Sequence, residues 1–256
     1  MIGTYLQGGL GNYMFQVAVA HSLAIDNDTD SLFSVNNSLK VHKHLSDYTD
    51  TIFRFFKFEP NVEYKVGYNE PVFNHVPITY KDGLLLRGYF QSEKYFKHNR
   101  DSILTSFSPT HDELTHIHNK YGSLLSNETC SIHVRRGDYL NLQEHHPVCT
   151  MKYYNEAISK VPDATHFLVF SDDIDWCKTK FVGEQYTFIE NEVDVMDLHL
   201  MSFCKHNIIA NSSFSWWGAW LNTNKNKVVV TPSKWFGPAK ASLDTKDIYP
   251  EGWIKL

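Results

Sequence analysis

Cysteine is scarce in this chain and never spaced for metal: Cys130, Cys149, Cys177 and Cys204 show no C-x-x-C pattern. That excludes a zinc ribbon and a redox dithiol, and their apolar or mixed surroundings read as reduced, structural thiols. Long apolar runs are missing too, since nothing approaches the roughly 20 residues that span a bilayer. The first residues pass from Met1 straight into the strand-like Ile2-Gly3-Thr4-Tyr5-Leu6, without the basic and apolar regions of a secretory leader. A cytoplasmic protein without a transmembrane segment is expected, and the glycosylation sequons at Asn36, Asn127 and Asn211 read as chance. Basic excess is absent: 24 Lys and Arg against 29 Asp and Glu give a net charge of -5. A general nucleic-acid binder, whose affinity comes from neutralising many phosphates, is therefore excluded. There is no H-E-x-x-H, no G-x-S-x-G elbow, no internal repeat and no low-complexity segment.

What is present is 256 residues, 42% of them hydrophobic, enough for two compact domains. Strand-like runs alternate with helical ones, most clearly in the second half: His166–Phe170, Tyr186–Ile189, Asn207–Ala210 and Lys227–Thr231 are strands, and 151–160, 176–181, 194–204 and 214–221 are helices. Such alternation predicts an α/β protein with parallel, doubly wound sheets. A polar stretch near 110–129 holds a helix and a linker, dividing the chain into domains 1–125 and 126–256. Residues 26–83 carry no assignable pattern. The stretch is polar and aromatic by turns, with Phe53, Phe55, Phe56 and Phe58 clustered, and reads as the variable part of the first domain, where an acceptor could be read.

The chemistry concentrates at strand ends. Ser131-Ile132-His133-Val134-Arg135-Arg136-Gly137-Asp138-Tyr139 delivers two guanidinium groups where a strand stops, which suits a diphosphate. The other reading of this stretch is a surface turn closed by an Arg–Asp pair. Asn211-Ser212-Ser213-Phe214-Ser215 follows a second strand and opens a helix, so its hydroxyls and first-turn N–H groups form a second phosphate cradle. Gly8-Gly9-Leu10-Gly11-Asn12, between the first strand and a buried helix, is a third ligand-facing loop or a tightly packed turn; it lacks the G-x-G-x-x-G register. Asp172, Asp173 and Asp175 have the composition of a magnesium site, but they precede a helix whose first turn favours acids, and capping explains them. Trp216, Trp217 and Trp220 read as core rather than as a sugar platform. Cys149 beside His145 and His146 lacks the spacing of a nucleophilic triad.

Five segments in order, GGLGNYMFQ, GYFQSEKYF (88–96), HVRRGDY (133–139), FSDD (170–173) and DLHLMSFCKHNIIANSSFSWWGAWL (197–221), resemble the α-1,2-fucosyltransferases of glycosyltransferase family 11 over nearly the whole chain. The resemblance implies a GT-B fold, two Rossmann-like domains with an interdomain cleft. It also implies inverting, metal-independent transfer of L-fucose from GDP-β-L-fucose to a galactose-type acceptor. By that analogy Arg135 meets the β-phosphate and Arg136 supports its loop. His133 and Asp197 contact the guanine nucleotide, and Ser212, Ser213 and Phe214 meet the phosphates and base. Gly9, Gly11 and Asn12 close over the donor. A base for the acceptor hydroxyl would come from Asp138, Glu144, His145 or His146, with Asp138 and His146 favoured. No cofactor is required; the partners are a nucleotide sugar and a glycan. Tyr13 and Val17 replace the family's usual glutamine and tyrosine, which implies altered first-domain contacts to sugar. Another nucleotide-linked deoxysugar donor, or a binding module without turnover, are the alternatives.

Overall fold

The computed structural model describes residues 1–35, 44–125 and 128–256, and it divides the chain into two compact units. The first comprises Met1–Thr110 and Leu243–Pro250, the second His111–Ser242 and Glu251–Leu256. The division thus falls before the helix at 111–125 rather than after it, and a short late segment returns to the first unit. The sequons at Asn36 and Asn127 lie outside the described residues.

In the first unit, β1 (Ile2–Thr4) leads through the glycine loop into α1 (Leu10–Asp26), followed by β2 (Leu32–Ser34), α2 (Ser46–Thr49), β3 (Lys57–Glu59), β4 (Val66–Asn69), β5 (Leu84–Arg87) and α3 (Arg100–Ser106). β1, β5 and β4 form a parallel sheet in that order, and β2 pairs parallel with β3. α1 is buried along most of its length because its apolar residues leave no polar stripe. Phe53, Phe56 and Phe58 pack with Phe33 and Phe107 at ring separations of 5.4 to 6.2 Å. This aromatic cluster is core; of the four, Phe55 alone is exposed, under the Arg54 guanidinium at 4.3 Å. Tyr13 and Val17 are buried in the same unit, with Tyr13 edge-on to Tyr48.

In the second unit, α4 (His111–Leu125) precedes β6 (Thr129–Val134), α5 (Met151–Ile158), β7 (His166–Ser171), α6 (Ile174–Lys180), β8 (Tyr186–Phe188), α7 (Asp194–Phe203), β9 (His206–Ile208), α8 (Ser213–Leu221), β10 (Val229–Thr231) and β11 (Ile254–Lys255). The strands form a six-stranded parallel sheet in the order β11-β10-β9-β6-β7-β8. β6 is buried at every position, as a central strand covered on both faces must be. The chain builds outward from β6 through β7 to β8, then returns to β9 on the other side of β6 and runs on to β10 and β11. That reversal puts a topological switch point between β6 and β9, where a parallel sheet opens a crevice at its carboxyl edge. Trp216, Trp217 and Trp220 are buried core, and Trp253 packs on Trp216 at 5.6 Å.

Candidate active site

Three strand ends meet at the carboxyl edge of the second sheet. Register pairs Val134 with Ser171 and Ile132 with Ile208, so the segments after β6, β7 and β9 leave the sheet side by side. Arg135 extends from β6 and is gripped from two directions: Nη2 donates to Asp138 Oδ1 at 2.6 Å, and Nη1 lies 2.8 Å from Asp172 Oδ2. The local Arg–Asp pair read from the sequence therefore exists as one half of a fork. Arg136 has a different task. Its backbone N–H donates to Asp172 Oδ1 at 2.8 Å, its Nε to Asp173 Oδ2 at 2.9 Å, and its guanidinium lies 3.9 Å from the Trp176 ring centroid. Arg136 is thereby spent on the loop, and Arg135 is the arginine left partly open, 29% exposed.

Gly137 permits this closeness, because a Cβ there would stand 2.5 Å from Asp172 Oδ2. Asp173 also caps α6, its Oδ1 accepting from Trp176 N at 3.3 Å, and Asp175 is fully in solvent. Asp172 and Asp173 are committed to guanidinium groups and a cap, which accounts for them without a metal. Among the described residues, Glu128, Asp163 and His206 do gather ligand atoms closely. Yet His206 Nδ1 accepts from Val228 N, so its proton sits on Nε2, facing Asp163 at 3.2 Å. Lys205 pairs with both carboxylates, making this an ion-pair cluster.

Across the switch point, Ser212 is the N-cap residue of α8, yet its hydroxyl makes no capping bond. The first-turn N–H groups of α8 are thus left without a side-chain cap, at the positive end of the helix. Ser213 and Phe214 stand in that turn, and Ser215 Oγ turns back to Ala210 O and Ser212 O. His133 lies at the end of β6 with its ring 5.6 Å from Phe214. Burial, then Arg135, holds its pKa down to about 3, so it is neutral, and its buried Nδ1 has no hydrogen-bond partner among the described residues. Asp197 occupies the first turn of α7, which packs against α8.

The remaining candidates lie between 138 and 150. Tyr139 sits under Arg135, guanidinium to ring 5.3 Å, stacks on His146 at 4.9 Å and 24°, and donates to Asn211 O at 3.2 Å. His146 Nε2 lies 3.1 Å from Lys240 Nζ, and burial, then Lys240, lowers its pKa to about 4. Glu144 and His145 offer backbone carbonyls to Ala239 N and Gly237 N at 2.8 and 3.0 Å, with their side chains exposed. Burial pushes the Cys149 thiol up to about 11, so it is no thiolate nucleophile. Asn211 is buried, its amide donating to Pro147 O and Trp235 O, and cannot serve as a glycosylation acceptor in the fold. Lys240 and Tyr139 were not singled out from sequence; the hint was a lysine in the aromatic turn 235–240, which nothing ties to residue 146 without the fold.

Within the first unit the glycine loop is rigidly made. Gln16, buried in α1, accepts from Gln7 N at 3.0 Å and donates to Gln7 O and Gly88 O at 3.1 Å. Gln91 donates to Asn12 Oδ1 at 2.7 Å, joining the GGLGN and GYFQ segments. Gly8 has φ +92°, a left-handed conformation that suits glycine. Gly9 is extended at the N-cap of α1, and a Cβ there would meet nothing within 4 Å, so packing does not demand its bareness. Gly11 is buried in the first turn of α1.

Two units built on parallel sheets are the architecture of the GT-B fold. The NodZ α-1,6-fucosyltransferase structure soaked with GDP-fucose aligns over 86% of this chain and 92% of its own at TM-score 0.56 and 12% identity; the NodZ enzyme is from Bradyrhizobium. A mutant of Arabidopsis thaliana FUT1 in complex with GDP covers 89% and 69% at TM-score 0.51 and 15% identity. Residues 4–256 match glycosyl transferase family 11, and the chain belongs to that family. Among its relatives, an Escherichia coli O-antigen biosynthesis glycosyltransferase, WbnK, is 33% identical, covering 98% of this chain and 99% of its own. An Escherichia coli alpha-1,2-colitosyltransferase is 30% identical over 98% and 97%. A rabbit galactoside alpha-(1,2)-fucosyltransferase 2 is 24% identical over 84% and 65%. No helix among the described residues is long and apolar enough to cross a membrane.

Proposed function

We propose that this enzyme transfers L-fucose from GDP-β-L-fucose to a hydroxyl of a galactose-type acceptor, with inversion, forming an α-1,2 linkage. The observation that carries the reading is Arg135, held by Asp138 and Asp172 at the end of β6, across the switch point from the uncapped first turn of α8. When the fucosyl–oxygen bond breaks, the electron pair goes to the β-phosphate oxygen and the ring gains oxocarbenium character. Fixed donors at the departing diphosphate then stabilise charge that grows in the transition state, which is the most effective place for them. Arg135, Ser212, Ser213 and the α8 N–H groups fill that role, with Arg136 holding the loop. His133, Asp197 and Phe214 contact the nucleotide.

The acceptor oxygen attacks the opposite face of the sugar and loses its proton to a base from the segment 138–146. Asp138, a carboxylate 37% exposed, suits that role better than His146, whose Nε2 faces Lys240. A second reading rests on the relative named alpha-1,2-colitosyltransferase and keeps the linkage while changing the donor to nucleotide-linked colitose.

The test offers GDP-fucose, GDP-colitose and GDP-mannose separately with lactose and N-acetyllactosamine, with and without EDTA, and determines the product linkage by NMR. Transfer from GDP-fucose that survives EDTA and yields an α-1,2 product is the expected outcome. Exclusive use of GDP-colitose would move the assignment to the second reading, and GDP binding without transfer from any donor would remove the enzymatic one.

A further inference from the structure

Lys240 lies 94 residues from His146 in the chain, and the fold delivers it to that ring. Residues 237–240 are laid along 143–146 by two backbone bonds, Gly237 N to His145 O and Ala239 N to Glu144 O. The approach is so close that any Cβ at position 237 would collide with the carbonyls of Gln143 and Glu144. Lys240 then sits with its ammonium 4.9 Å from the Phe236 ring centroid and 3.1 Å from His146 Nε2.

Proton bookkeeping fixes the state of the pair. An ammonium has donors only, so His146 Nε2 must accept and the imidazole proton must reside on Nδ1, which is buried without a protein partner. The groups that act on the His146 ring are Lys240, Asp138, His145 and Arg135, with Tyr139 stacked on one face and Phe236 edge-on. His146 is therefore a neutral prop for the lysine, with its accessible lone pair already used.

What remains is a cation without an anion. Lys240 is partly buried, desolvation lowers its pKa, and no carboxylate among the described residues pairs with it. Every half-buried ammonium loses hydration, and a neutral imidazole with an aromatic face returns only part of it. The same column of rings, Phe236, His146 and Tyr139, leads to Arg135. We infer that Lys240, propped by His146, is a second cation of the donor site and binds the diphosphate of the nucleotide sugar. This deepens the donor-site reading above and rests on it.

Calorimetric titration with GDP and with guanosine separates the charge from the base. Lys240→Met is expected to weaken GDP about tenfold while leaving guanosine affinity and the melting temperature unchanged, and Lys240→Arg to restore most of the loss. GDP affinity within twofold of the parent, or an equal loss for guanosine, would overturn the inference. Acylation of surface amines on the unsubstituted protein, read by mass spectrometry, tests it without any variant. Saturating GDP is expected to protect Lys240, and equal labelling with and without GDP would refute it. A parent protein that binds no GDP overturns the donor reading itself, a result distinct from loss at Lys240 alone.

Discussion

Arg135 is poised because its guanidinium is shared. Each of its two terminal nitrogens is held by a different carboxylate, Asp138 from its own turn and Asp172 from the end of β7. A planar fork can do this; a lysine ammonium is a single point on a flexible stem and cannot hold both directions at once. Arg135→Lys is therefore expected to lower kcat for transfer by roughly 10²- to 10³-fold, in the range for one lost donor at a developing negative charge, with little change in melting temperature. A turnover near the parent value would remove Arg135 from the chemistry. As residues in sequence Arg135 and Arg136 are two adjacent guanidinium groups, and it is the family resemblance that gives the first to the β-phosphate and the second to the loop. The fold separates them, because Arg136 is consumed by Asp173 and Trp176 while Arg135 keeps an open edge.

At the scale of elements, the second unit holds α4 through Ile117 and Tyr121, which pack into a core cluster with Leu168, Phe170 and Ile189, and through one carboxylate. Glu192 accepts from Tyr121 at 2.8 Å and meets His116 at 3.0 Å and Lys120 at 2.5 Å, all three on α4. Burial alone would raise its pKa, but Lys120, His116 and Tyr121 outweigh that and hold it at about 2. The folded value lies below the ordinary 4.5, so the stabilisation is fully present above pH 4.5 and is lost as pH falls toward 2. Because Lys120 and His116 are both nearly half exposed, the contribution is about 1–2 kcal/mol. Urea unfolding of the parent and of Glu192→Gln should differ by that amount at pH 6, with the gap closing below pH 4.5; a gap that ignores pH would refute the anchor. This tie also explains why α4 belongs to the second unit, against the boundary expected at residue 125. A helix followed by a polar linker looks like a domain end, and only its partners in the fold, Glu192 and the core residues packed on Ile117 and Tyr121, show which side it joins.

For the whole molecule, the decisive feature is that the chain changes units more than once. Residues 243–250 return to the first unit, where Asp247 accepts from Lys94 at 2.5 Å and from His75 N at 3.0 Å. Residues 251–256 then add β11 to the second sheet. Ending the chain at Ser242 is expected to lower the melting temperature by about 5 °C or more and to weaken GDP binding, since both units lose part of their framework. Unchanged melting and GDP binding would show that the tail is dispensable. The sequence by itself determined the parallel α/β plan, the place of β6, β7, α5 and α8, and the arginine and serine turns. Long apolar strands and amphipathic helices carry their period locally, and a guanidinium or a helix-opening serine declares its chemistry in one residue. Only tertiary structure decided the rest. β2, β3, β4 and β11 lie in stretches of mixed polarity with no apolar run of their own, and they exist because neighbouring strands pair with them. Arg135 with Asp172, and His146 with Lys240, are far apart in the chain, the second pair by 94 residues. Their chemistry depends on distances of about 3 Å that no local pattern encodes, because a charge acts on the groups the fold brings beside it, whatever their separation along the chain.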